Sequence, residues 1–341
     1  MPTSRRRPSN TPERKSVKRR CAAVFRCLAA AVLALACGAA AAQAYPAKPI
    51  RFLLPFAPGG IGDITARIVA QKMSDNIGQQ VVVDNRPGAG MIISANAALQ
   101  APADGYTMLL AGNGTAITTS LFKSLPYDIL RDFTQVATLA SFDLVLLVNA
   151  DSKFTSLADM LAFARSNPGK LNFGTVNPGS TQFLSAELFK SLAGISAQTV
   201  PFKATPALII ALRSHSVDVA FDFMPAVLPQ LKSNSVRALG VAAARRYSKL
   251  PDTPTIVEGG VADYLVSSWN AVSVRAETPR PIVERLNKEI VAAVNSPEVR
   301  QKLQELGADS RPSTVEQARE LMISEIARWK AVIERAGIER Q

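Results

Sequence analysis

Apolar residues along this chain switch between a strand period and a helix period. Ile50-Arg51-Phe52-Leu53-Leu54-Pro55-Phe56 is a near-continuous apolar run, as expected of a parallel strand buried on both faces. The segment 62–77 then places Ile64, Ile68, Met73 and Ile77 on one helical stripe. Val81-Val82-Val83 reads as a second strand, 89–100 as a second helix and 106–110 as a third strand. This is a βαβαβ unit, whose crossovers should be right-handed. The pattern restarts with helices over 156–166, 180–194, 204–214 and 225–233, between strands at 171–176, 198–202, 217–221 and 236–241. The C-terminal stretch adds helices instead: 281–295, carrying Ile282, Leu286, Ile290 and Val294, and 314–335, carrying Met322, Ile326, Trp329 and Ile333.

Two tandem α/β units imply two lobes. Two long strand-like stretches, 133–149 and 264–275, sit where the chain would cross between them. If both are crossings, the C-terminal helices return to the first lobe and the second lobe is an insertion. The expected fold class is therefore α/β, with the hinged two-lobed plan of a periplasmic binding protein, type II-like. The expected lobes are 45–140 with 270–341, and 141–269.

The net charge of +12 suggests a nucleic-acid partner until its location is read. The first 44 residues hold nine basic side chains and one acid, Glu13, so +8 belongs to this leader and +4 to everything after Ala44. A basic segment, an apolar Ala-rich run from Cys27 to Ala42, and Ala42-Gln43-Ala44 have the three parts of a secretory signal. Cleavage after Ala44 would start a soluble, periplasmic mature chain at Tyr45. An uncleaved anchor and lipid attachment at Cys37 are the alternatives.

All three cysteines, Cys21, Cys27 and Cys37, lie in that leader, and His215 is the sole histidine of the sequence. A two-histidine zinc site, a Cys-based metal site and a Cys–His catalytic pair are thereby excluded from the mature chain. Neither GxSxG nor GxxxxGK[ST] occurs, and Gly88-Ala89-Gly90 starts a GxGxxG with Ile93 where the third glycine should stand. No cofactor, metal or catalytic residue is expected. An exported enzyme would have to work with carboxylates and hydroxyls alone.

Open parallel sheets bind ligands beyond the carboxyl ends of their strands, so the loops after strands carry the candidate chemistry. Pro55-Phe56-Ala57-Pro58-Gly59-Gly60-Ile61-Gly62-Asp63 opens into a helix N-terminus, where exposed N–H groups and the dipole favour an anion. Asp63 reads as the N-cap of that helix. Asn177-Pro178-Gly179-Ser180-Thr181 is a second-lobe counterpart, readable either as an anion grip or as a plain cap and turn. Gly112-Asn113-Gly114-Thr115 offers neutral donors or is an ordinary turn. Asp222, at the end of a strand, could pair with an ammonium or serve as a capping carboxylate. His215 reads as a solvated turn residue, Trp269 and Trp329 as packing residues, and 328–340 as a solvated charged face.

Longer motifs point to a family. Tyr45-Pro46, Lys48-Pro49-Ile50-Arg51, PFAPGGIGD at 55–63, VVVDNRPGAG at 81–90, ADGYTMLLAGNGT at 103–115 and LPYDILRDF at 125–133 resemble the substrate-binding proteins of tripartite tricarboxylate transporters, the Bug family of extracytoplasmic solute receptors. NPGKLNFGT at 167–175, GST at 179–181, AELF at 186–189, VDVAFD at 217–222, LPDTPTIVE at 250–258 and PIVERLN at 281–287 continue the resemblance in order. It implies a receptor whose lobes close on a small carboxylate: a di- or tricarboxylate, an amino acid or an aromatic acid. It implies a grip made of backbone and hydroxyl donors with bound waters, from Phe56, Gly59, Gly60 and Asp63 in one lobe and Ser180 and Thr181 in the other. Asn113, Thr115 and Asp222 are further candidates.

The implied partners are membrane permease subunits, with no nucleic acid, and the receptor is expected to be a monomer. A ligand sensor handing its closed form to a membrane signalling protein is the alternative. Two departures bear on ligand identity. Phe183 stands where many relatives have His, and Pro201-Phe202-Lys203-Ala204-Thr205-Pro206-Ala207 lacks the glycines of the usual PYKG-type segment. Both are expected beside the second-lobe pocket.

Overall fold

The computed structural model describes residues 45–88, 91–177 and 180–340. The expected leader, with its cleavage site and Cys37, lies outside them. So do 89–90, at the start of the expected helix 89–100, and 178–179, within the candidate loop 177–181.

Strand β1 (Ile50–Leu54) pairs in parallel with β2 (Val81–Asn85) and β3 (Thr107–Gly112), through helices α1 (Ile61–Ile77) and α2 (Ile92–Leu99). Phe52, Leu53 and Leu54 are all buried, because helices leave neither face of a parallel sheet to solvent. On its other side β3 pairs antiparallel with β9 (Ser267–Arg275), which pairs with the first part of β4 (Phe133–Asn149).

Beyond Asp143, β4 leaves β9 and pairs with β7 (Val219–Phe223) and β8 (Val236–Val241). There β5 (Leu171–Val176) lies parallel to both β7 and β6 (Ala197–Phe202). Helices α4 (Leu157–Ser166), α5 (Thr181–Ala193), α6 (Thr205–Arg213) and α7 (Met224–Lys232) belong to this second half. One strand thus runs through both lobes and, with β9 beside it, carries the chain between them.

The C-terminal helices α8 (Arg280–Asn295), α9 (Pro297–Glu305) and α10 (Val315–Arg335) return to the first lobe, where α8 packs on β4 and α1. α10 packs on β4 and on α3 (Asn113–Leu121). A two-residue strand, β10 (Asp309–Ser310), pairs with β4 at Ser141 and Ala140. No helix among the described residues is long and apolar enough to cross a membrane.

Two helices depart from the sequence reading. Asn113-Gly114 reads as a turn, yet α3 begins at Asn113 directly after β3. Tertiary contacts hold this Thr-rich segment helical: Ala116, Ile117 and Leu121 are buried, and the Ser120 hydroxyl donates to the Ile326 carbonyl of α10 at 2.9 Å. The direct strand-to-helix joint needs a glycine for space, because a Cβ at Gly112 would lie 2.3 Å from the Trp269 carbonyl oxygen on β9. α9 is mostly polar, buries only Val299 and Leu303 of its nine residues, and so has little periodic signature.

Asp143 sits at the residue where β4 changes partners, with Asp309 on the neighbouring β10. Burial and the Asp309 charge push its carboxyl up to about 6, against opposing pulls from Arg245 and Arg311. The folded state therefore holds this proton more tightly than the unfolded chain. Ionising Asp143 costs stability as pH rises from about 4 to about 6, and the cost persists above that. Asp143→Asn should raise the melting midpoint at pH 8, by a stability gain on the order of 2 kcal/mol, and the gain should vanish near pH 4. Gly112→Ala should lower the urea midpoint, at a cost of about 1–3 kcal/mol, with the slope of the transition unchanged.

Candidate functional site

A cavity of about 750 Å³ opens where the two halves meet. The first lobe contributes the loop from Phe56 to Gly62, Met91, and residues of β3, α3 and β9; the second contributes Asn177, Ser180, Thr181, Gln182 and Phe223, with Phe142 of β4 between them. No Asp, Glu, Lys, Arg or His lines it among the described residues.

What replaces charge is backbone orientation. The first residues of α1 (Ile61, Gly62), of α3 (Gly114, Thr115) and of α5 (Thr181, Gln182) all line the cavity, so three helix N-termini from both lobes open onto one space. The leading N–H groups of a helix have no intrahelical acceptor and carry the positive end of its dipole. Together they favour an anion without a formal positive charge. Gly62 is required by close approach: a Cβ there would meet the Phe56 ring at 2.7 Å.

The loop after β1 is held from behind. Asp63 is not the N-cap of α1; that position is Gly60, and Asp63 lies buried in the first turn. Its carboxylate accepts from the Gly59 N–H at 2.9 Å, from Arg67 Nε at 3.0 Å and from Asn85 Nδ2 at 2.9 Å. Asn85 Nδ2 also donates to the Phe56 carbonyl at 2.9 Å, and Arg67 donates to Asn85 Oδ1 at 2.7 Å. Burial raises the Asp63 carboxyl, but the bonds from Arg67, Gly59 and Asn85 outweigh it and hold the group below the usual carboxylate range. Gly59, at φ +89°, turns its N–H to Asp63, and neither residue is on the cavity lining.

In the second lobe, the Ser180 hydroxyl caps α5, accepting from the Phe183 N–H at 3.1 Å and donating to the Val176 carbonyl at 2.6 Å. Thr181 Oγ1 accepts from Asn113 Nδ2 at 2.9 Å, and Asn113 Oδ1 accepts from Trp329 Nε1 at 2.7 Å. Asn113 is fully buried and off the lining; it ties α3, α5 and α10 together beneath the cavity. Thr115 is on the lining, its hydroxyl accepting from the Gly112 N–H at 3.2 Å and reaching Met91 Sδ at 3.6 Å.

Asp222 is also off the lining, behind Gln182. Gln182 Nε2 donates to its Oδ1 at 3.0 Å, the Thr205 hydroxyl to its Oδ2 at 2.6 Å, and the Phe223 N–H to Oδ1 at 2.7 Å. Burial pushes its carboxyl up against those three bonds. This arrangement orients Gln182 and leaves the carboxylate no face toward an ammonium in the cavity. Phe183 and the segment 201–207 do not line the cavity either; Phe183 packs against the apolar core, and Thr205 serves Asp222.

Sequence reasoning missed Gln182, Asn270 and the cavity role of Trp269. Trp269 is a buried packing residue, yet it lines the cavity, and its indole Nε1 has no hydrogen-bond partner among the described residues. Asn270, next to it on β9, donates to Thr65 Oγ1 at 2.9 Å. No local signal marks these positions beyond their place in a stretch that crosses between lobes.

The tripartite tricarboxylate transporter family receptor model matches residues 65–338. The chain is 37% identical to the UPF0065 protein in the tcbD-tcbE intergenic region of Pseudomonas sp. (strain P51), over 95% of this chain and 96% of that one. It is 35% identical to Protein BugT of Bordetella pertussis, over 87% and 91%. Among solved structures, R. palustris Rpa4515 with adipate superposes with a TM-score of 0.77 at 35% identity, covering 86% of this chain and 99% of that one. The chain belongs to the tripartite tricarboxylate transporter receptor family, the Bug-type solute-binding proteins.

Proposed function

We propose that this protein is a periplasmic receptor that captures a small organic carboxylate between its lobes and delivers it to the permease subunits of a tripartite tricarboxylate-type transporter. The observation that carries the reading is the convergence of three helix N-termini, from both lobes, on a cavity lined by no charged side chain. The R. palustris relative was solved with a carboxylate, adipate, which supports a carboxylate ligand here without fixing how many carboxylates it carries.

In this reading the lobes are 45–140 with 270–341 and 141–269, hinged where β4 and β9 cross. Phe56, Gly60, Thr115, Ser180 and Thr181 face the ligand, while Gly59, Asp63, Asn113 and Asp222 hold those residues in place. A ligand that touches α1 and α3 on one side and α5 on the other gains its full set of donors only when the lobes are together. Its binding energy therefore shifts the population toward the closed state. Preorganised N–H groups supply charge-assisted hydrogen bonds with little reorganisation.

The test is a thermal-shift screen of the purified protein, refolded to strip carried-over ligand, against carboxylates and neutral sugars. A ligand selective for the folded state raises the midpoint. A shift confined to carboxylates is expected, and a response to sugars alone would overturn the reading. Thr181→Val removes a lining hydroxyl and the acceptor of Asn113 Nδ2. It should weaken carboxylate binding at least tenfold by calorimetry and destabilise the ligand-free protein by about 1–3 kcal/mol.

A further inference from the structure

We propose that the ligand is a monocarboxylate with an apolar body, seated with its carboxylate at the helix N-termini and its body along α3; this rests on the receptor reading above. The cavity lining includes Gly114, Thr115, Ile117, Thr118 and Leu121 of α3, and Phe122 just past its end. The five α3 positions share one helical face, which from Gly114 to Leu121 runs about 10 Å at 1.5 Å rise per residue.

Along that face the chemistry changes from one end to the other. At the N-terminal end stand Thr115 and, across the lobes, Ser180, Thr181 and Gln182. At the C-terminal end stand Leu121 and Phe122, with Leu110 of β3 contributing further apolar lining. Phe142 and Phe223 add an edge-to-face aromatic pair, ring centroids 5.3 Å apart and 88° between planes.

The helix dipole sharpens the difference. The N-terminus of α3 attracts an anion, whereas its C-terminus carries the negative end of the dipole. Arg340 donates to the Phe122 carbonyl at 2.8 Å, but its guanidinium is not on the lining. A second carboxylate placed at the Leu121 end would lose its hydration against apolar side chains and meet an unfavourable dipole. An alkyl or aryl group placed there would instead be removed from water favourably.

The experiment is calorimetry on the purified, ligand-stripped protein with butanoate, hexanoate, octanoate and 3-phenylpropanoate, their length-matched α,ω-diacids, citrate, and hexanamide. The expected result is affinity that rises with chain length, with each monoacid at least tenfold tighter than its diacid and hexanamide at least tenfold weaker than hexanoate. Diacids or citrate binding as tightly as the monoacids would overturn the proposal while leaving the receptor reading intact. Silence from every acid, or hexanamide equal to hexanoate, removes the carboxylate reading and the proposal with it. Phe122→Arg places a cation at the apolar end and should narrow the monoacid preference at least fivefold; an unchanged preference in a folded variant overturns the seating along α3.

Discussion

An anion buried without a counter-charge is stable only where backbone N–H groups already point at it before it arrives. In the proposed receptor reading, that requirement is met from two lobes at once. α3 starts directly where β3 ends, α1 and α5 follow β1 and β5 after short loops, and the strands are arranged so that these starts face one cavity. Parallel strands followed by helices make this possible, because each strand's carboxyl end is followed by the N-terminus of the next helix.

The charged and amide side chains near the site serve this backbone geometry. Asp63, Asn85 and Arg67 form a closed set of hydrogen bonds that holds the loop from Phe56 to Gly62 in place. Asp222 does the same for Gln182, and Asn113 spans Thr181 and Trp329. Asp63, Asn85, Arg67, Asp222 and Asn113 are all off the cavity lining. Keeping these carboxyl groups and the Arg67 guanidinium one layer back leaves the cavity lining without a formally charged side chain.

The strand pair β4–β9 sets how the lobes relate. β4 is paired with β9 as far as Asp143, with β7 from Leu144 and with β8 from Val145, so the change of partners occurs within one or two residue steps. The Trp269 carbonyl comes so close to Gly112 that no side chain fits between them, which brings the end of β3, and hence the start of α3, against the crossing strand. The same closeness places Trp269 and Asn270 on the cavity lining.

Much of this was legible in the chain itself. Period and composition located nearly all the strands and helices, the two crossings, and the glycine-bearing loops after β1 and β5, because a buried parallel strand and an amphipathic helix leave local apolar patterns. The fold class follows from such local patterns, and the absence of Cys and of a second His after residue 44 excludes a Cys-based or two-histidine metal site and a Cys–His catalytic pair there. Tertiary structure alone decided which polar residues face the cavity. Asp63 and Asp222 look like site carboxylates in sequence but turn inward to serve their neighbours, while Gln182, Trp269 and Asn270 look like filler and line the cavity. Helix α3 was equally invisible, since Asn113-Gly114 favours a turn until the Trp329 indole, more than two hundred residues away, donates to Asn113 Oδ1. The direction of a side chain depends on contacts between segments far apart in sequence, and no local pattern encodes those.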